Sequence, residues 1–336
     1  RFYNVDFDIQ PIPKEVVWKD VIKEGTMWAY PHEASAKKQM RDCYKENKTE
    51  RATRFADYAT YLHDVFSEEN LYAQFVSETI EEEILTPVEE LPMISLITSV
   101  FNAEEHIEQL MEDVTRQSIF KERCEWLIYN VNPVGSDVEE KLIQKYVEEY
   151  PDNIIYKRVE DDPGVYGIWN LGIEEASGEF ITNVNCDDRR SQIGLYKQAS
   201  TLFQSPDVDL VYNDSYVVHE ANTLYEDVDP SKAQRYNFEQ FSPEAMMRGN
   251  LPHNNPMWRK NLHDKHGLFD SSYKSAGDWE FWLRCTFGGS RFKKHSEVLG
   301  VYYFNPDGIS TDTENESWKR EEEKKVFQKY YPFLQR

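Results

Sequence analysis

Between residues 93 and 212 the chain repeats one pattern: a short apolar run, a polar break, then an amphipathic stretch. The apolar runs fall at 93–100, 126–129, 154–156, 180–184 and 208–212. The first two read as buried strands of a parallel sheet, and the other three as further strands. The intervening stretches at 103–117, 137–150, 165–176 and near 193–203 carry helical spacing. In the first of them Ile107, Leu110, Met111 and Val114 share one face. Ser177-Gly178 reads as a C-cap of the third. Strands alternating with helices predict an α/β fold, a doubly wound, mostly parallel sheet flanked by helices.

The flanks differ in period. Residues 1–10 alternate apolar and polar side chains, which predicts an extended segment. From 34 to 83, Met40, Tyr44, Phe55, Tyr58, Leu62, Phe66, Tyr72 and Phe75 recur at helical spacing, with Ser67-Glu-Glu as the start of a new helix. Thr86-Pro87 closes that region and 89–92 reads as a linker. After Asp214 the alternation fades, and 214–275 is polar, aromatic and irregular. A helix at 276–287, a late strand at 298–303 and a highly charged helix at 315–329 follow. The expected organisation is a mainly helical N-terminal segment (1–88), an α/β domain (89–313) and a C-terminal charged helix (314–336).

Charge and cysteine content narrow the function. A formal net charge of -23 repels nucleic-acid backbones and anionic membrane surfaces. A nucleoside diphosphate remains compatible, because a bound metal ion reverses the local sign. The four cysteines show no CxxC spacing, so neither a disulfide framework nor a zinc site is expected. No apolar run approaches the length of a membrane span and no signal peptide opens the chain, so the expectation is a cytoplasmic protein, compatible with peripheral membrane association. The chain opens at Arg1 without Met, compatible with a piece of a longer protein.

Open α/β sheets bind ligands beyond the carboxyl ends of their strands. Four successive strand ends here deliver polar groups: Ser99 to Asn102, Asn130 to Asp137, Glu160 to Gly164 and Asn185 to Arg190. Asp187 and Asp188 repel each other unless a cation or an arginine intervenes. Hard oxygens at a strand end suit Mg²⁺ or Mn²⁺ held together with phosphates. A solvated Asp-Asp turn capping the next helix accounts for the pair equally simply. Asp278 opens a helix on the face of Phe281, Trp282 and Cys285, which fits either an N-cap or a general base at a pocket mouth. His263-x-x-His266 lacks the glutamate of a metalloprotease motif and reads as surface, and His295 is a candidate for the cleft. No dinucleotide fingerprint, Walker loop or GxSxG elbow is present.

These residues resemble glycosyltransferase family 2, the inverting GT-A transferases, over about 91–310. Ser95-Leu-Ile-Thr-Ser-Val-Phe-Asn102 is similar to the family's opening strand. Asp162-Pro-Gly-Val-Tyr-Gly-Ile-Trp-Asn-Leu-Gly172 is similar to its central segment. Asn185-Cys-Asp-Asp188 stands where the family has its DxD-type motif, and Gly277-Asp278 where it has an acidic pair. The chain departs from that pattern with Ser99 for proline, Asn130 for the aspartate that reads the base, Asn185 for the first acid of the motif and Gly277 for the first acid of the pair.

The resemblance implies an inverting transferase that moves a sugar from a nucleotide-diphosphate sugar to a saccharide or lipid-linked acceptor hydroxyl, in surface polysaccharide or glycoconjugate synthesis. It implies Asp278 as catalytic base and Asp187 and Asp188 as ligands of Mn²⁺ or Mg²⁺. Ser99, Phe101, Asn102, Asn130, Asp162, Asn170, Asp187 and Arg189 would bind the nucleotide. Pro252 to Trp258 would form the acceptor side. Residues 23–83 are more weakly similar to the C-terminal tail of a GT-B transferase of the family 1/4 kind, which would imply a second transferase domain upstream; a helical appendage is the alternative. Two rival functions are a sugar nucleotidyltransferase and a non-catalytic sugar-binding or scaffold module.

Overall fold

The computed structural model describes residues 4–13, 27–46, 48–49, 56, 85–133, 135, 138–306, 308–309, 311 and 316–335. It divides into two compact units, residues 1–83 and 84–336. In the first, strands β1 (Phe7–Pro11) and β2 (Met27–Pro31) pair antiparallel, so the expected extended segment is a hairpin strand. Helix α1 (Glu33–Lys45) follows. The rest of the expected 34–83 helical region, with the Ser67 start signal, lies outside the described residues apart from Lys48, Thr49 and Ala56.

The second unit is built on a nine-stranded sheet. Strands β3 (Ile94–Val100), β4 (Cys124–Asn130), β5 (Ile154–Arg158) and β6 (Phe180–Asn183) run parallel in the order β5-β4-β3-β6. Every residue of β4 is buried, as a strand covered on both faces requires. Helices α2 (Ile107–Thr115), α3 (Phe120–Arg123), α4 (Val138–Glu149) and α5 (Gly164–Glu175) intervene, and α2 buries the apolar face read from its spacing. The doubly wound, mostly parallel reading therefore holds. Among the described residues, no helix is long and apolar enough to cross a membrane.

The Ser177-Gly178 cap is corrected. Gly178 takes no left-handed conformation; it is where backbones crowd, because a Cβ there would lie 2.7 Å from the Ser95 nitrogen. The Ser177 and Gly178 N–H groups instead donate to buried Glu125, at 2.6 and 3.2 Å. Glu125 also accepts the hydroxyls of Ser95 and Ser177, tying β3, β4 and the end of α5 together.

Beyond β6 come the two-residue β7 (Arg189–Arg190), α6 (Gly194–Phe203), β8 (Leu210–Val218) and β9 (Gln234–Tyr236). Then follow α7 (Pro243–Arg248), β10 (Met257–Arg259), α8 (Leu262–His266), α9 (Gly277–Phe287), β11 (Phe292–Tyr303) and α10 (Glu316–Tyr330). The stretch 214–275 is thus less irregular than its sequence predicts. Its short strand β10 inserts antiparallel between β6 and β8, with Met257 opposite both Thr182 and Val211. Trp258 lies wholly inside the core, so this tract serves packing as well as the cleft. Three residues carry no periodicity; their strand state comes from the two partners on either side.

Topology then assembles one edge. The carboxyl end of β6 leads to Asn185–Asp188. Because β10 runs antiparallel, His253 and Asn254 just before it arrive beside that end, and Asn183 donates to the Asn254 carbonyl at 3.1 Å. Strand β11 runs parallel to β8 and delivers Tyr303 and Asn305 to the same region.

Candidate active site

A cleft of about 1620 Å³ opens at this edge, and Asp187, Asp188 and Asp278 all line it. Ser99, Phe101, Asn102 and Asp162 line it too, together with His253, Asn254, Tyr303 and Asn305. Two acids after β6 and a third about ninety positions later are therefore brought to one cavity.

Asp187 is half-buried and accepts a hydrogen bond from Asn305 Nδ2 at 3.1 Å. Asp188 is buried, held by Asn185 Nδ2 at 2.9 Å and by the Tyr303 N–H at 3.3 Å. Burial pushes the Asp188 carboxyl up to about 7, and the neighbouring Asp187 charge adds to the rise. Two adjacent carboxylates under this mutual penalty suit a hard divalent cation. Among the described residues no group of three or more His, Cys, Asp and Glu side chains is placed to hold a metal. The side chains that could hold Mn²⁺ or Mg²⁺ here are these two carboxylates.

Asp278 sits in the first turn of α9, half-buried at the cleft wall. Its Oδ1 accepts the Tyr166 hydroxyl at 3.0 Å and its own neighbour's N–H, from Trp279, at 2.8 Å. Its Oδ2 accepts Asn250 Nδ2 at 2.7 Å. Burial raises the Asp278 carboxyl above the usual carboxylate range, and these three donors pull it back in part. Asn250 has a buried carbonyl oxygen with no hydrogen-bond partner, beside the carboxylate it holds.

Gly277 now has a physical explanation. A Cβ at this position would lie 2.7 Å from two carbons of the Tyr166 ring. Glycine lets that ring pass close enough to reach both Asp278 and the Ser275 carbonyl, the latter at 2.6 Å. Tyr166 is in turn packed edge-on against Trp169 and stacked on Phe269.

Phe101 is 54% exposed at the cleft wall, an apolar ring in contact with water. Asn102 adopts a left-handed backbone (φ 48°), which asparagine tolerates, and its N–H donates to Asn132 Oδ1 at 2.8 Å. Asp162 Oδ1 accepts the Gly164 N–H and turns the chain into α5.

Three of the expected nucleotide contacts, Arg189, Asn130 and Asn170, are not among the residues that line the cleft. Arg189 is 1% exposed and does not reach the cleft. Its guanidinium donates to the carbonyls of Cys186, Asp188 and His106 and to Asn222, so it fixes the loop that carries the two aspartates. Asn130 is fully buried, donating to the Tyr156 hydroxyl and accepting the Asn132 N–H. Asn170 clamps Phe269, accepting its N–H at 3.0 Å and donating to its carbonyl at 2.9 Å, and so shapes the aromatic wall. His295 is buried in β11, away from the cleft. His263 is not a surface residue: its ring stacks on Phe281 and accepts Trp258 Nε1–H at 2.9 Å, while burial pushes it down to about 4.

Sequence reasoning passed over Tyr166, Asn250 and Asn305 as site residues, while Asn254 falls in the stretch expected on the acceptor side and does line the cleft. Tyr166 stands inside a quoted motif and was within reach. Asn250 and Asn305 lie in loops whose convergence is set by the antiparallel β10 and by β11.

Fold and cleft together define a sugar transferase of the GT-A type. Residues 95–267 match glycosyl transferase family 2, and the chain belongs to that family; it is a glycosyltransferase. Among curated relatives it is similar to an uncharacterized glycosyltransferase of Methanocaldococcus jannaschii, 23% identical over 212 residues, which cover 63% of this chain and 70% of that protein. It is also similar to glycosyltransferase AglE of Haloferax volcanii, 26% identical over 220 residues, covering 65% of this chain and 69% of that protein. Among solved structures it resembles S. aureus TarS 1-349 in complex with UDP-GlcNAc, with a TM-score of 0.51 and 18% identity. That match covers 66% of this chain and 61% of the TarS chain.

Proposed function

We propose that this chain transfers a sugar from a nucleotide-diphosphate sugar to an acceptor hydroxyl on a saccharide or lipid-linked chain, with inversion, in surface polysaccharide or glycoconjugate assembly. The observation that carries this reading is the meeting of Asp187, Asp188 and Asp278 in one cleft. Phe101 offers a face for a nucleobase, and Ser99, Asn102 and Asp162 offer polar contacts to base or ribose. A divalent cation bound by Asp187 and Asp188 supplies neutralisation of the departing diphosphate. That the TarS structure was solved with a UDP-sugar supports a donor of this class.

Asp278 is the residue suited to take the acceptor's proton. Its carboxylate is half-buried at the cleft and burial raises its affinity for a proton, the direction that suits a general base. Tyr166 and Asn250 hold it in one orientation while leaving acceptor capacity on Oδ2. The hydroxyl oxygen attacks the anomeric carbon as its proton passes to Asp278. The bond to the diphosphate oxygen breaks, and the electron pair leaves with the nucleoside diphosphate. One displacement inverts the anomeric centre with no sugar bound covalently to the protein.

The test is Asp278→Asn. Turnover should fall by about 10²–10⁴-fold, the span of a general base, while UDP or GDP with Mn²⁺ still raises the melting temperature as in wild type. Turnover within threefold of wild type would remove Asp278 from the chemistry.

A further inference from the structure

Helix α10 carries a carboxylate that the functional reading above does not use. Glu322 accepts three consecutive backbone N–H groups, from Lys274 at 2.9 Å, Ser275 at 3.0 Å and Ala276 at 3.1 Å. These are the residues immediately before α9, which opens Gly277-Asp278. A run of N–H groups ahead of a helix is unsatisfied by the helix itself, and a carboxylate there gains from both hydrogen bonding and the helix dipole. The residues that flank the Asp278 turn are therefore held from outside, by a helix some forty-five positions later.

The same helix is fastened elsewhere. Lys329 Nζ and the Tyr330 hydroxyl both donate to the fully buried Glu280, at 2.8 and 2.7 Å, and Glu280 lies one position beyond Trp279 on α9. Val326 and Tyr330 are buried in the main core. The Lys274 ammonium lies over the Trp318 ring at 5.7 Å. Two carboxylates, one on each helix, thus fix α10 against the two sides of the Asp278 segment. Arg320, Lys324 and Phe327 of α10 also line the cleft.

We propose that Glu322 is a positioning residue for the catalytic base: by gathering the N–H groups of 274–276 it sets the start of α9, and so the reach of Asp278 into the cleft. The proposal rests on the reading of Asp278 as base. It also makes the charged C-terminal helix a working part of the transferase unit rather than an appendage.

The experiment uses the full chain with Glu322→Ala, Glu322→Gln and, as control, Glu321→Gln; Glu321 is exposed and pairs with Lys325 on the same helix. Amide hydrogen exchange at 274–276 should accelerate at least tenfold in both Glu322 variants, with the amides of β3 and β4 unchanged and the control like wild type. Nucleoside diphosphate release is then followed from UDP-N-acetylglucosamine and other UDP- and GDP-hexoses with Mn²⁺. kcat should fall about tenfold in Glu322→Ala at unchanged KM for the donor, less in Glu322→Gln. The acid limb of the kcat–pH profile should move to lower pH, since a loosened turn admits water to Asp278. Unchanged exchange at 274–276 overturns the brace, whatever the activity. Faster exchange with wild-type kcat and an unmoved acid limb overturns the positioning role, as does a fall in kcat that only tracks a lower melting temperature. Failure of Asp278→Asn to lose activity would instead strike the assignment of the base, leaving the exchange result intact.

Discussion

Substituting Gly277 by alanine tests the link between an unusual glycine and the placement of Asp278. The new methyl would stand 2.7 Å from two ring carbons of Tyr166 and 3.0 Å from a third, where ordinary contacts begin at about 3.4 Å. The ring is buried and braced by Trp169 and Phe269, so it has little room to withdraw. Overpacking of this kind costs about 1–3 kcal/mol. If the ring shifts, the single Tyr166 hydroxyl hydrogen shared between Asp278 and the Ser275 carbonyl is drawn away from both, at about 1 kcal/mol in total. Alanine returns up to about 1 kcal/mol through helix propensity and a less free unfolded chain. The net is a loss of about 2 kcal/mol, which for a body of this size lowers the melting temperature by roughly 4–8 °C. Thermal unfolding and turnover at saturating donor would be measured together. The expected result is that drop in stability with a fall in kcat, and partial recovery of stability when Tyr166→Leu is added to relieve the contact. A Gly277→Ala protein that melts within 1 °C of wild type and turns over normally would refute the steric account of this glycine.

Two further outcomes follow from the carboxylates. As the proposed base Asp278 would act only when ionised, and burial raises its affinity for protons, so kcat should be lost as pH falls, with the acid limb above the ordinary carboxylate value of 3.8; a limb at or below 3.8 would contradict that proposal. For Asp188 the folded carboxyl is raised to about 7 from 3.8, so its contribution to metal-free stability is full below about pH 4 and lost as pH rises through about 7. Mn²⁺ competes with that proton. Its effect on the melting temperature should therefore be larger at pH 8 than at pH 6, disappear with EDTA, and be abolished in Asp188→Asn; an equal shift in that variant would place the metal elsewhere.

Much was legible in local pattern. The apolar runs at 93–100, 126–129 and 180–184 are strands, because residues buried on both faces of a sheet must be apolar whatever lies next to them, while 154–156 is the edge strand β5 with Ile155 exposed. The helical faces between them follow from a period that needs no knowledge of partners. Adjacent acids after β6 and the acid opening α9 were visible because their types and strand-end positions are local facts, and their arrival in one cleft follows from a sheet with ligands at its carboxyl edge.

What the tertiary structure decided is which polar side chains face the cleft and which face each other. Arg189, Asn130 and Asn170 have the residue types of ligand contacts, yet their hydrogen bonds go to the protein's own backbone and side chains. Strand β10 exists only because β6 and β8 leave room for it, and Glu322 acquires a role only where α10 crosses the start of α9. Periodicity reports on one chain segment and its solvent. A hydrogen bond between residues far apart depends on the position of both ends, which is settled when the layers pack.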